Sequence, residues 1–99
     1  MSDFEKQVLK KVKEIPKGKV STYKELASSL GKPRASRAVA NALAKNRDLI
    51  KVPCHRVIRS DGFLGGYVLG TEKKIRLLKK EGIEIKFGCI DLHKFLKHW

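Results

Sequence analysis

The sequence predicts a mainly α-helical chain with one small β hairpin, arranged like a winged helix-turn-helix. Three observations predict it. Helical spacing of apolar residues recurs through the first half of the chain; two short helices there are separated only by Gly31 to Arg34; and a short β-branched stretch with turn chemistry follows them. The chain has 99 residues, 41% of them hydrophobic. A chain of this size buries roughly two-thirds of its unfolded surface, enough for one compact core, so residues 1–99 are read as a single domain.

Ser2 and Glu5 form a capping box ahead of Phe4, Val8, Leu9, Val12 and Ile15, which line one helix face. Pro16, Lys17 and Gly18 stop that helix. Lys19 to Ser21 reads as a short extended piece. Thr22 and Glu25 then open a second helix with Leu26, Ala27 and Leu30 inward, ended by Gly31. After Lys32 and Pro33 a third helix runs to about Lys45, with Ala38, Val39, Ala42 and Leu43 on its inner face. The last two helices fit a helix-turn-helix or an ordinary helical hairpin.

Asn46 to Asp48 is a turn, Leu49 to Val52 a strand candidate closed by Pro53, and Val57 with Ile58 a further apolar piece. Ser60, Asp61 and Gly62 carry turn chemistry, so residues 50–64 are expected to form the hairpin or wing. Gly65 and Gly66 follow as a flexible pair. Thr71 is placed as the cap of a helix from Glu72 to Glu81, stopped by Gly82. Leu92, Phe95, Leu96 and Trp99 repeat at helical spacing, so Asp91 to Trp99 is expected to dock as a terminal helix.

Lysine and arginine number 23 against 10 acidic residues, a formal net charge of +13. Such a surface calls for an anionic partner. No basic amphipathic helix sets Trp or Phe opposite its charges, which favours nucleic acid over a membrane surface. The alternative is that the lysines simply solubilise the chain. The longest uncharged stretch, Gly62 to Thr71, is too short for a membrane helix, and the charged start lacks the apolar segment of a signal peptide. A cytoplasmic protein with free thiols at Cys54 and Cys89 is expected. Cys89, His93 and His98 offer one Cys-x3-His spacing and no second nearby cysteine, so no metal is expected.

The string Pro53-Cys54-His55-Arg56-Val57 holds the residues best suited to chemistry. A cysteine is nucleophilic only as thiolate, and with an ordinary pKa of roughly 8.5 it needs a base or a positive charge nearby. In an extended segment the side chains of Cys54 and His55 point to opposite faces, so a turn or a bridging water is required to join them. By composition alone, Cys54 reads as a small buried hydrophobe sooner than as a nucleophile.

Several strings occur in order: Ile15-Pro16-Lys17-Gly18-Lys19-Val20-Ser21-Thr22-Tyr23, Ala35-Ser36-Arg37-Ala38-Val39, Asn46, Pro53-Cys54-His55-Arg56-Val57, Gly65-Gly66-Tyr67 and Lys79-Lys80-Glu81-Gly82. Through them, residues 1–85 resemble the C-terminal, active-site domain of the O6-alkylguanine-DNA alkyltransferases. The resemblance implies a single-turnover methylated-DNA-[protein]-cysteine methyltransferase that needs no cofactor, with Cys54 as alkyl acceptor, His55 as base through a water, and Glu81 orienting the imidazole. It implies a monomer acting on double-stranded DNA that contains O6-alkylguanine, met in the minor groove. The damaged nucleotide must leave the stack. Tyr23 would press on the 3′ phosphate and Arg37 would fill the vacated space, with Arg34, Ser36 and Ala38 on the same DNA-facing helix. Asn46 would be the hinge to the active-site loop, Tyr67 would meet the guanine, and the carbonyls of Val57 and Cys54 would accept from its exocyclic amine. Arg56 is assigned to a carboxylate within the fold.

The sequence departs from the pattern in three places. It begins at Met1, where most members carry an N-terminal domain with a metal site, so that domain is expected to be missing. Val68 and Leu69 stand where relatives carry Ser or Arg and then Gly or Trp. Residues 86–99 match nothing in the pattern and are an unassigned helical tail. A lesion-binding alkyltransferase-like protein is the alternative, but such relatives generally replace the cysteine that Cys54 retains. A basic winged-helix protein without chemistry would leave the Tyr23, Arg37, Asn46 and Glu81 matches unexplained.

Overall fold

The computed structural model describes residues 2–99. Helix α1 spans Asp3–Val12, and its start is the reciprocal cap expected: Ser2 Oγ accepts from Glu5 N at 3.1 Å, while Glu5 accepts from Ser2 N at 2.9 Å. Strand β1 (Ser21–Thr22) leads directly into α2 (Tyr23–Ser29), capped by Thr22 Oγ1 accepting from Glu25 N at 3.0 Å. Gly31, at φ +75°, reverses the chain where a side chain would be strained. Helix α3 (Ser36–Ala44) follows. Val8, Val12, Leu26, Ala27, Val39, Ala42 and Leu43 bury the three facing stripes in one cluster, joined by Ile15, Val52, Cys54 and Val57.

The predicted hairpin does not form. Residues 49–52 are turn rather than strand, because Asp48 captures them: its Oδ1 accepts from Lys51 N and its carbonyl from Val52 N, both at 3.0 Å. Ile50 is left 95% exposed, and Val52 alone of the four is buried. The sheet is instead a parallel pair between β1 and β2 (Val57–Ile58), with Ser21 opposite Val57 and Thr22 opposite Ile58. The mainly helical class with its helix-turn-helix stands, with this parallel pair in place of the hairpin.

Helix α4 (Thr71–Lys80) begins one residue earlier than expected, with Gly70 rather than Thr71 at the cap. The tail is also reassigned. Asp91 caps a single helical turn, α5 (Leu92–Phe95), after which the chain extends beside Val20. Val20 N donates to the Phe95 carbonyl at 2.9 Å, and Lys97 N donates to the Val20 carbonyl at 2.8 Å. Ile90 and Phe95 enter a second apolar cluster with Val20, Ile58, Leu64, Leu78 and Ile83. At Gly62 (φ +90°) the tail approaches so closely that a Cβ would lie 2.9 Å from the Ile90 carbonyl. Among the described residues, no helix is long and apolar enough to cross a membrane.

Residues 86–99 are therefore structural. Deleting them should expose Val20 and Ile58 and lower the urea midpoint sharply, and Phe95→Ala alone should cost about 3 kcal/mol in denaturant titrations. Unchanged midpoints would show that the second cluster holds without the tail.

Candidate active site

Pro53 ends the loop from α3, and residues Cys54–Arg56 wind into one 3-10 turn, with Arg56 N donating to the Pro53 carbonyl at 3.0 Å. Cys54 and His55 thus sit on a turn, one of the two ways of joining them, and not on an extended segment. Both are 6% exposed. The thiol does not bond to His55 directly. Its hydrogen-bond partner is Asn46, whose Nδ2 donates to Sγ at 2.9 Å. Asn46 is itself oriented by its Oδ1 accepting from Asp48 N at 3.0 Å, and its Nδ2 also reaches the Asp48 and Val52 carbonyls at 3.3 and 3.4 Å. The asparagine at the end of α3 thus ties that helix to the cysteine loop and touches the sulfur as well.

Behind the cysteine stands a hydrogen-bonded triad of Glu81, Arg56 and His55. Glu81, at the C-terminal cap of α4, accepts from Arg56 Nε at 2.9 Å and from Arg56 Nη2 at 2.7 Å, and the same Oε2 lies 3.0 Å from His55 Nε2. Arg56 Nη1 also donates to the Ile15 carbonyl at 2.8 Å, so the triad reaches across to the segment after α1. Burial alone would raise the Glu81 carboxyl, but the bonds from Arg56 and His55 prevail and hold it below the ordinary carboxylate range. An ionised Glu81 can only accept, so it fixes the proton of the neutral imidazole on Nε2. His55 Nδ1, buried and without a protein partner among the described residues, is then the nitrogen with a free lone pair. Burial lowers the His55 pKa against the pull of Glu81, so the imidazole is neutral at pH 7 and able to take a proton.

The sequence reading missed Lys74. Its ammonium is fully buried and donates to the carbonyls of Val57 at 2.7 Å, Leu64 at 2.6 Å and Gly66 at 3.0 Å. Burial lowers its pKa to about 8, while the three acceptors and the Cys54 charge favour the protonated form. The available signal was its position on α4, one turn before Leu78 and next to Ile75, where a lysine breaks an apolar stripe. The Val57 carbonyl assigned to a guanine amine is here engaged by Lys74, because a buried ammonium requires acceptors. Val57 itself does not line the cavity described next.

Cys54 opens onto a cavity of about 570 Å³ walled by Tyr23, Ala40, Leu43, Ala44, Arg59, Gly65, Gly66, Tyr67 and Val68. Tyr67 meets His55 edge to face, with ring centroids 6.4 Å apart. Gly65 has φ +71°, and a Cβ there would sit 3.2 Å from the Tyr23 hydroxyl, so the loop passes the tyrosine only because it lacks a side chain. Burial raises the Cys54 pKa, and the Asn46 hydrogen bond and the Lys74 charge work against that rise. On α3, Arg37 and Ala38 are exposed along with Arg34 just before the helix, and Ser36 is half-buried. None of these four lines the cavity at Cys54. The arrangement suits a shielded thiol that ionises when a base draws off its proton.

Residues 3–83 match the family described as "6-O-methylguanine DNA methyltransferase, DNA binding domain". The chain is 55% identical over 80 residues to a methylated-DNA--protein-cysteine methyltransferase of Methanosarcina barkeri, covering 81% of this chain and 51% of the relative. It is 50% identical over 82 residues to a bifunctional methyltransferase/endonuclease of Picrophilus torridus, covering 83% and 28%. The chain thus spans between about a quarter and a half of the length of these relatives. Among solved structures, Atl1 of Schizosaccharomyces pombe, in complex with damaged DNA containing O6-carboxymethylguanine, superposes with a TM-score of 0.89 at 33% identity, covering 100% of this chain and 98% of that one. OGT of Mycobacterium tuberculosis, in complex with DNA, superposes with a TM-score of 0.81 at 43% identity, covering 83% and 50%. The chain belongs to the 6-O-methylguanine DNA methyltransferase family, which it enters through the DNA-binding domain.

Proposed function

We propose that this chain binds double-stranded DNA and repairs O6-alkylguanine by moving the alkyl group irreversibly onto Cys54. The observation that carries this is Cys54 on the wall of a cavity, held by Asn46 and backed by His55, Glu81 and Arg56. On this reading the DNA-binding domain is also the active-site domain, and no cofactor is needed.

In the reaction the Cys54 sulfur attacks the alkyl carbon, the C–O6 bond breaks, and its electron pair returns to guanine. The thiol proton passes through a water to His55 Nδ1, and guanine is protonated in turn, with Tyr67 assisting the leaving base, a role supported by its position on the cavity wall. Glu81 stabilises the imidazolium without giving up its own charge. Asn46 and Lys74 favour the thiolate that forms, each unit of pKa depression representing about 1.36 kcal/mol. The base must leave the stack to reach a 6% exposed cysteine. The outer face of α3 would lie in the minor groove, with Arg37 filling the stack, Arg34, Ser36 and Ala38 alongside, and Tyr23 pressing on the adjoining phosphate. Small side chains on this helix permit close approach to a narrow groove.

The match to Atl1 over the whole chain, tail included, favours a second reading as a lesion-binding protein that marks damage without transfer. Cys54 separates the two. After incubation with an O6-methylguanine duplex, the intact protein should gain the mass of one methylene, and Cys54→Ala should gain nothing; tight binding with unchanged mass would favour the second reading. Arg37→Ala should slow transfer from duplex at least tenfold more than transfer from a free O6-alkylguanine base, since only the duplex requires extrusion; equal slowing of both would remove Arg37 from that step. Single-turnover rates should rise with pH as His55 loses its proton, from a point below its ordinary value. In His55→Ala the rise should move to alkaline pH, where the thiol, raised by burial, ionises unaided. Superimposable profiles would exclude His55 as the base.

A further inference from the structure

We propose that Arg59 makes the cavity selective for O6 substituents that end in a carboxylate, of which carboxymethyl is the smallest. The inference rests on the reading of Cys54 as the alkyl acceptor. Of the residues that wall the cavity, Arg59 alone carries a formal charge, and no Asp or Glu is among them. The rest of the wall is apolar, glycine, or a hydroxyl or thiol. Behind it, the Lys74 ammonium adds a second positive charge on the Cys54 side. A carboxylate carried into this space meets the guanidinium with no acid on the wall itself; the nearest opposing carboxylate is Asp61, which pairs with Arg59 from outside the wall.

The position of Arg59 is built. A turn from Arg59 to Gly62, closed by Gly62 N donating to the Arg59 carbonyl at 3.0 Å, sets its backbone. Its aliphatic stem runs along Gly65, where Cγ would stand 3.3 Å from an added Cβ, beside the Tyr23 hydroxyl. Asp61 Oδ2 accepts from Nη2 at 2.8 Å, and the other carboxylate oxygen accepts from Phe63 N at 3.1 Å, so the acid that steers the guanidinium is itself anchored. That bond occupies one of five guanidinium N–H groups. The pair is largely exposed, with side chains 60% and 45% accessible. An exposed pair is held weakly, leaving the guanidinium free to donate to a ligand.

The transfer balances without a further reactant. Cys54 Sγ bonds to the methylene carbon, the methylene–O6 bond breaks with its electron pair on O6, and the thiol proton ends on the guanine ring by way of His55. The products are guanine and S-carboxymethylcysteine. Arg59 keeps its charge throughout and acts by positioning the adduct carboxylate.

The test compares duplexes carrying O6-carboxymethylguanine, its neutral carbamoylmethyl counterpart of nearly equal size, and O6-methylguanine, in the full chain and in Arg59→Gln and Arg59→Lys. The carboxymethyl-to-carbamoylmethyl rate ratio should fall about tenfold in Arg59→Gln, the scale of one charge-assisted hydrogen bond, and be largely kept in Arg59→Lys. An unchanged ratio overturns the proposal. So does an equal loss on all three substrates, which would mark Arg59 as a phosphate contact or a folding residue. The same ratio in dissociation constants, measured with Cys54→Ser as the background, decides the role of Arg59 even if the unmutated protein transfers no group, an outcome that would refute the acceptor reading alone.

Discussion

A buried ammonium with three carbonyl acceptors holds the C-terminal half of the molecule in place. Lys74 draws Val57, Leu64 and Gly66 to one point, and these belong to the strand after the cysteine turn, to the second apolar cluster and to the cavity wall. A charge taken out of water at this cost must be satisfied completely. Satisfying it fixes the spacing between α4 and the loop that carries Tyr67. The cavity therefore exists because three chain segments converge on a single side chain that is not itself on its wall.

The cysteine is held under opposing demands. Burial shields the thiol and disfavours its ionised form, whereas the Asn46 amide and the Lys74 charge favour it. Ordinary solvation would give a more acidic thiol at the expense of shielding. The base side is set with the same economy: two bonds from Arg56 hold the Glu81 carboxylate charged, and the carboxylate in turn selects the His55 tautomer. Arg56 is therefore a positioning residue for the histidine, acting through Glu81.

Local signals proved legible and distant ones did not. The Ser2 and Thr22 caps, the Gly31 reversal and the helix-turn-helix follow from residues a few positions apart, and their hydrogen bonds form as such residues dictate. The resemblance carried Cys54, Asn46, His55 and Glu81, which the fold brings into contact or near contact. Three features escaped. Val57 and Ile58 pair with Ser21 and Thr22, far away in sequence, whereas a hairpin was inferred from adjacency. Asp48 converted a β-branched stretch into a turn through two local bonds that outweighed its strand propensity. Lys74 sat among neighbouring lysines and looked like one more solvated charge. Its burial depends on acceptors from elements that pattern alone does not place.

The tail shows what the pairing of Val20 accomplishes for the molecule in solution. Both the N–H and the carbonyl of Val20 are taken by residues 95–97, immediately before β1 pairs with β2. Without that cover, this short segment would present unpaired backbone groups beside an apolar cluster, the usual template for strand-to-strand association between copies. In a chain this small, the last residues thus serve colloidal stability as well as folding. Lys97, which supplies one of the two bonds, also lays its ammonium over the Trp99 ring at 4.6 Å, so charge accompanies the capped edge.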